Sequence, residues 1–305
     1  MNSGNVLVVG SSNVDSTIYC GRLPGPGETV LGGKFSSTIG GKGANQATAA
    51  RRMGASTSFF SAVGDDSHGE MIKAHFAKEG VNAHWAVIPS GIPTGVALIL
   101  VDPRGQNSIA VAPGANQAIT SQETKGLPYA SFSHVLISLE IPMAVAVTAA
   151  IQAKEAGCCV LLNPAPAVLL PDELLSNIDI LLPNEHEVKM LLPSRQTSLS
   201  HRQIAGRFFD FGGKALIVTL GERGAEIHEP AGMQILPGIA AEVVDTVGAG
   251  DCFCGALAAG LAFGDELAAA VRLANKAASL SVQRPGAISS LPLRVDVLQG
   301  LSAAV

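Results

Sequence analysis

Five short runs rich in Val, Ile and Leu, at Val6 to Val9, Val135 to Leu139, Val160 to Leu162, Ile178 to Leu182 and Ala215 to Leu220, are apolar without alternation. A strand with one wet face alternates polar and apolar side chains, so unbroken runs of this length belong to parallel strands covered on both faces. Stretches of helical pattern, such as Ala144 to Ala156 and His201 to Phe209, stand between them. This strand, helix, strand rhythm predicts a doubly wound fold of the α/β class.

Two stretches break the rhythm. Ser16 to Ile39 carries Gly, Pro, Thr and Val without a helical period, and Gly95 to Ala112 places two alternating strands around the turn Asp102 to Asn107. Both read as a small separate β-element. An open α/β sheet binds ligands beyond the carboxyl ends of its strands, so this element is positioned to serve as a lid over that crevice. With 305 residues, 47% of them hydrophobic and 15% charged, the chain has the apolar material for one large domain over 1–305. No linker divides it. The pentapeptide Gly-Ala-Asn-Gln-Ala occurs at 43 to 47 and again at 114 to 118, but its surroundings differ, so it is not a repeat architecture.

A net charge of −5 supplies no field for a phosphate backbone or an anionic membrane, which argues against nucleic acid as a partner. No apolar stretch reaches the roughly 18 residues of a membrane span. Met1 to Gly10 lacks a basic n-region and a cleavage site, so a cytoplasmic protein is expected. The cysteines, Cys20, Cys158, Cys159, Cys252 and Cys254, show no C-x-x-C spacing and read as buried small hydrophobes rather than disulfides or zinc ligands. His134, His186 and His228 stand in no metal-binding pattern and read as surface or satisfied side chains. The G-x-S-x-G elbow of Ser hydrolases is absent.

Polar residues follow the apolar runs: Asp15 after the first strand and turn, then Glu140, Asn163, Asn184, and Thr219 with Gly221. Either they gather along the ligand-binding edge of a parallel sheet or the strands simply exit into polar loops. The segment Asp245-Thr246-Val247-Gly248-Ala249-Gly250-Asp251 opens a helix of small residues from Cys252 to Phe263. Gly248, Ala249 and Gly250 leave backbone N–H groups uncovered at that helix start, a setting that attracts anions. Asp251 in the first turn either takes part in such a site or only stabilises the helix end. A second glycine-rich segment, Gly40 to Gln46, leads into a helix through Arg52. It lacks the G-x-x-x-x-G-K-[ST] spacing, and G-x-G-x-x-G is missing too, so Lys42 and Asn45 taken alone read as a solvated loop and a helix start.

In their order along nearly the whole chain these segments resemble the ribokinase family, also called the PfkB carbohydrate kinases. The match runs through Gly10 to Asp15, Gly40 to Asn45, Gly114 to Asn116, Asn163 to Ala167, Asn184 to Glu187, Thr219 to Gly221 and Asp245 to Asp251. The resemblance implies a three-layer α/β/α sandwich with a mostly parallel central sheet and a small β-sheet lid, formed by about 13–39 and 95–112. It implies an ATP-dependent kinase acting on the primary hydroxyl of a pentose, D-ribose foremost, with Asp251 as general base and Gly248, Ala249 and Gly250 as the anion hole. Asp15, Gly41, Lys42, Gly43, Asn45 and Glu140 would hold the sugar, and Asn13, two positions before Asp15, either reaches the same pocket with its amide or only shapes the Gly-Ser-Ser turn. Asn184, Thr219, Gly221, Gly224, Gly250 and Asn275 would line the nucleotide site. Glu187 would organise Mg²⁺ through water, and Asp245, Val247, Ser281, Arg284, Gly286 and Ser290 stand where the family places a monovalent cation, K⁺. Val96, Leu98 and Leu100 give the lid an apolar face that suits a homodimer. The competing readings are a kinase for 2-deoxyribose, a ketohexose or a nucleoside, a sugar-binding protein without turnover, and a dinucleotide dehydrogenase.

Overall fold

Strands that are apolar on both faces need two layers of cover, and the chain supplies both. The computed structural model describes residues 4–191 and 199–302; Met1 to Ser3, part of the leader reading, lie outside the described residues. The strands are β1 (Asn5–Val9), β2 (Asn13–Tyr19), β3 (Lys34–Gly40), β4 (Ser56–Ser61), β5 (Asn82–Trp85), β6 (Gly95–Val101), β7 (Asn107–Ala112), β8 (His134–Ser138), β9 (Cys159–Asn163), β10 (Ile180–Leu181), β11 (Ala215–Thr219), β12 (Ala225–Glu229) and β13 (Gly232–Leu236). The helices are α1 (Lys42–Arg52), α2 (Ser67–Glu79), α3 (Ala115–Ala118), α4 (Ser121–Thr124), α5 (Met143–Glu155), α6 (Asp172–Leu175), α7 (His201–Asp210), α8 (Ala249–Ala262), α9 (Leu267–Ser281) and α10 (Arg294–Ser302).

The large sheet has the order β13-β12-β11-β10-β9-β8-β1-β4-β5. It is parallel from β11 to β5, and β12 pairs antiparallel with both β11 and β13. Val6, Val8, Leu136, Leu161 and Ile217 face the layer that contains α1, α8 and α9. Leu7, Val9, Ile137, Leu162 and Val218 face α5 and α7 on the other side. The expected three layers are present. Of the expected run Ile178 to Leu182, only Ile180–Leu181 is strand. Asp179 before it is 1% exposed and holds the ammonium groups of Lys154 at 2.7 Å and Lys214 at 2.9 Å. Cys20, Cys158, Cys252 and Cys254 are buried as expected, and Cys159 is partly exposed. Among the described residues no helix is long and apolar enough to cross a membrane.

A second sheet, β3-β2-β6-β7, is built from the two stretches that broke the helical rhythm. Its register puts Val14, Ser16 and Ile18 level with Val96, Leu98 and Leu100, so these share one face while Asn13, Asp15 and Thr17 share the other. The first face is open: Leu98 is 59% exposed and Phe35, paired with Ile18, is 63% exposed.

The layer of α1 and α8 is packed at backbone distance. A Cβ on Gly255 in α8 would lie 2.4 Å from the Gln46 carbonyl oxygen and 2.6 Å from Ala49 Cβ in α1. At the start of α1 a Cβ on Gly43 would lie 2.7 Å from Gly10 Cα, where β1 turns into β2. These approaches are open only to glycine, and they fix α1 between the sheet and α8. Gly255→Ala therefore forces the two helices apart and is expected to destabilise the protein by about 1–3 kcal/mol, the usual cost of overpacking. Gly206→Ala on the exposed side of α7, where nothing lies within 4 Å, should instead stabilise by about 0.5–1 kcal/mol. Urea melts of both variants check this, and equal shifts in one direction would reject it.

Candidate active site

Gly255 lies one helical turn after Asp251, so the contact that seats α8 on α1 also brings Asp251 against α1. Asp251 is 7% exposed. Its Oδ2 accepts from Asn45 Nδ2 at 2.8 Å and its Oδ1 from Gln46 Nε2 at 3.0 Å. Asp251 stands in the first turn of α8, and both its carboxylate oxygens are taken up by amides of α1. Gln46 Nε2 also donates to Asn163 Oδ1 at 3.0 Å, and Asn163 Nδ2 to the Leu182 carbonyl at 3.0 Å, which ties the carboxylate to the ends of the central strands. Asn45 is 6% exposed. It is no solvated helix start.

Gly248 precedes α8 with φ of 75°, a left-handed conformation that a side chain would oppose. One expectation needs correcting here, because the Ala249 N–H turns back to the Thr246 carbonyl at 3.2 Å and is engaged. Among the described residues the Gly248 and Gly250 N–H groups have no protein partner, and both glycines stand beside Asp251 in the wall of a cleft of about 470 Å³. Lys42, Asn163, Asn184, Glu187 and Thr219 complete that wall. Past Thr219, Gly221 and Gly250 the cleft opens into a second space of about 580 Å³ lined by Gly224, Phe253, Asn275 and Ala278. The polar residues that follow the strands thus gather along one sheet edge. Asn184 and Glu187 hold each other: Asn184 Oδ1 accepts from the Glu187 N–H at 2.9 Å, and Glu187 Oε2 accepts from the Asn184 N–H at 2.9 Å.

At the other end stands Asp15, on the site face of β2. Its carboxylate lies directly over Gly40, where a Cβ would fall 2.0 Å from Oδ2, and among the described residues it accepts no hydrogen bond. Glu140 Oε2 accepts from the Ser11 hydroxyl and from the Lys42 N–H at 3.0 Å, pinning the turn after β1 to the start of α1. Asn13 is 5% exposed; its Oδ1 accepts from Asn116 Nδ2 at 2.8 Å while its own Nδ2 has no protein acceptor. Asn116 further bridges the backbone of Ser12. Both copies of Gly-Ala-Asn-Gln-Ala therefore supply the site, through Asn45 and Asn116. Gln46, Asn116 and Ser11 carry these bonds and were not picked out individually as site residues from the sequence. The repeated pentapeptide was the signal that could have found two of them.

Asp251, Glu140 and Glu187 all act on the ammonium of Lys42. Asp251 raises the Lys42 pKa most, against the cost of burial. Burial raises the Asp251 pKa, opposed by Lys42 and by the amides of Asn45 and Gln46. Burial likewise raises that of Glu187. Asp15 is pushed up to about 6, first by burial and then by Glu140 and Asp251.

Beside the anion-type helix start, Asp245 joins two loops. Its Oδ1 accepts from the Val247 N–H at 3.0 Å and its Oδ2 from the Gly286 N–H at 2.8 Å, and the Val282 carbonyl accepts from the Asp245 N–H at 3.1 Å. Ser281 and Ser290 are buried behind these loops, their hydroxyls bonded to Ala278 and Ala287 carbonyls, and the Ser281 carbonyl accepts from the Arg284 N–H at 3.2 Å. The residues expected around a monovalent cation are thus neighbours.

The folded protein holds the Asp15 proton more tightly than the unfolded chain does, so stability is fully present below about pH 4 and is lost as pH rises through about 6. Asp15→Asn removes that loss. Its stability relative to the native protein is expected to rise by on the order of 2 kcal/mol between pH 4 and pH 7.5, the full linkage reduced for partial solvent contact. Urea denaturation at the two pH values measures it, and a difference independent of pH would refute the assignment.

Comparison with known proteins gives a consistent family. The profile described as pfkB family carbohydrate kinase matches residues 3–294. A ribokinase of Haemophilus influenzae is 37% identical over 305 residues, covering 98% of this chain and 99% of that protein. A Thermotoga maritima ribokinase structure superposes with a TM-score of 0.87 at 31% identity, covering 97% of this chain and 99% of that one. An Arabidopsis thaliana ribokinase structure complexed with ribose and ATP superposes with a TM-score of 0.84 at 33% identity, covering 96% of this chain and 97% of that one. On sequence, architecture and motif order together, the chain belongs to the pfkB family of carbohydrate kinases.

Proposed function

We propose that the chain is an ATP-dependent kinase that transfers the γ-phosphoryl group to the primary hydroxyl of D-ribose, giving D-ribose 5-phosphate. The observation that carries this reading is the buried Asp251 carboxylate, oriented by two amides of α1, next to the unpaired N–H groups of Gly248 and Gly250. A base that is fixed in direction and an anion-binding helix start at its side are the two things that transfer to a hydroxyl requires. The relative crystallised with ribose and ATP supports the choice of donor and acceptor.

The roles follow from the geometry. Asp15 offers two uncommitted carboxylate oxygens, an acceptor pair for adjacent sugar hydroxyls, and Asn13 Nδ2 offers a donor beside them. Lys42, Gly41, Gly43, Asn45 and Glu140 close the sugar end, with Glu140 holding the start of α1 in place. Asp251 takes the proton of the attacking hydroxyl as its oxygen bonds to the γ-phosphorus and the bond to the leaving ADP breaks. Gly248 and Gly250 receive the negative charge that develops on the phosphoryl oxygens, with the Ala249 N–H serving the turn instead. The nucleotide lies along Asn184, Thr219, Gly221, Gly224 and Asn275. Glu187 keeps one carboxylate oxygen free of its bond to Asn184, and an all-oxygen set suits a hard cation. Mg²⁺ held there through water would neutralise phosphate charge. K⁺ at the Asp245 loops would steady the helix start from behind. The β2-β3 and β6-β7 arms, about 13–39 and 95–112 of one domain, close over the sugar and exclude water. Their open apolar face, with Phe35 and Leu98, pairs with that of a second copy in a homodimer. A cytoplasmic setting belongs to the same proposal, because the donor is held there.

Asp251→Asn should retain the fold and nucleotide binding and lose at least about 10²-fold in turnover, as measured by ADP release with ribose. Near-native turnover would remove Asp251 from its role. A related kinase for another acceptor is the second reading, and one sugar decides most. D-ribose is expected to exceed 2-deoxyribose by about 5 to 150-fold in kcat/KM, since a deoxy sugar leaves a buried polar group unpaired at roughly 1–3 kcal/mol. Direct competition of the two sugars measures the ratio, and a value at or below one rejects ribose while leaving the kinase. Comparing K⁺ with Na⁺ at matched ionic strength tests the cation loops, which require a higher rate in K⁺.

A further inference from the structure

Two histidines far apart in sequence, His201 and His228, converge in space on Glu226. Glu226 and His228 are two apart on β12 and so share a sheet face, while Ala225 and Ile227 point into the opposite core. His201 is the first residue of α7, on the helix face that buries Ala205 and Phe208 one and two turns later. That face packs over β11 and β12. His201 Nδ1 lies 2.8 Å from Glu226 Oε2, and His228 Nε2 lies 2.9 Å from the same oxygen. The two rings stand edge to face at 86° with centroids 6.4 Å apart, and one ligand atom from each of the three residues lies within 4.8 Å of the others.

We propose that His201, Glu226 and His228 form a binding site for a divalent transition-metal cation, with Zn²⁺ as the best match. Two imidazole nitrogens and one carboxylate oxygen are a ligand set that zinc accepts with three protein atoms and an open fourth position. Ligand atoms around tetrahedral zinc lie about 3.3 Å apart for bonds of about 2.0–2.1 Å, so the observed separations need only small side-chain rotations to admit the ion. His228 is 3% exposed, which fixes its ring, while His201 and Glu226 are partly exposed and leave a way in for the ion and a water ligand. One carboxylate oxygen that collects both imidazoles keeps the three side chains together before the ion arrives. The site is chemically distinct from the cleft around Glu187 and Asp251, whose oxygen donors suit Mg²⁺. Its position gives it a consequence. Glu226 follows the Gly221–Gly224 turn of the nucleotide cleft by two residues, so an ion here would tie α7 to the β11-β12 hairpin that carries that turn.

Zinc chloride alone, titrated calorimetrically into magnesium-free protein, tests the site. The native protein is expected to bind one equivalent, with a melting temperature that climbs with free zinc. His201→Gln changes a partly exposed residue, and circular dichroism verifies that the variant is folded. It should weaken zinc binding by more than about 100-fold, beyond what loss of an outer-sphere partner costs, and abolish the thermal shift. Co²⁺ added to the native protein should give the intense visible bands of a tetrahedral ion, and His201→Gln should lose them. Absence of zinc binding to the native protein, or zinc affinity and cobalt bands unchanged in His201→Gln, would overturn the proposal.

Discussion

Everything in the catalytic half of the molecule depends on the backbone contact between α1 and α8. Two helices that meet through ordinary side chains sit about 8–10 Å apart. At Gly255 nothing stands between the two backbones, and the Gln46 carbonyl occupies the space that a methyl group would take. Only at that separation can the short amide of Asn45 reach Asp251, one turn along α8, while Gln46 reaches both Asp251 and Asn163. A helix contact that looks like core packing therefore sets the aim of the carboxylate. Arg52 fastens the far end of α1, donating to the Ile288 and Leu291 carbonyls and pairing with Glu79 at 2.6 Å.

How far the sequence revealed this depends on the kind of signal each part carries. The parallel strands were plain, because burial on both faces writes unbroken apolar runs, and the four strands of the small sheet were plain as interruptions. β4, with the sequence Ser-Thr-Ser-Phe-Phe-Ser, has no such run, and its three serines reflect neighbours that differ along its length. The strand ends could be placed because parallel strands deliver their following residues to one edge. Asp251 and its glycines were legible through a local rule about helix starts. Gln46 and Asn116 were not, since an amide on a helix or in a loop looks solvated until its partner, 205 or 103 residues away, is brought beside it. The engaged N–H of Ala249 was likewise invisible, as it depends on a turn closing onto Thr246. His201, Glu226 and His228 belong to the same class. Their pattern exists across a helix and a strand, where no linear spacing records it.

The electrostatics explain why this site is an uncomfortable arrangement for an isolated fold. Three carboxylates, of Asp251, Glu140 and Glu187, share one lysine, and among the described residues Asp15 has no donor to stabilise its charge. Burial and the charges of Glu140 and Asp251 push Asp15 up to about 6. The amides on Asp251 do the opposite. Together with Lys42 they oppose the rise that burial imposes on its pKa.

The small sheet has a consequence of a different sort. Asn13 and Asp15 project from one face of β2, whereas Asp251, Asn45 and Gln46 belong to two helices locked together at backbone distance. The face of β2 and the helix pair are therefore separate pieces of the scaffold, and the chain joins them at Gly40 and Gly41, where β3 runs into α1. Substitutions on that strand face can accumulate without disturbing the backbone contact that seats Asp251. An ancestral protein of this design could diversify its diet while inheriting its chemistry intact.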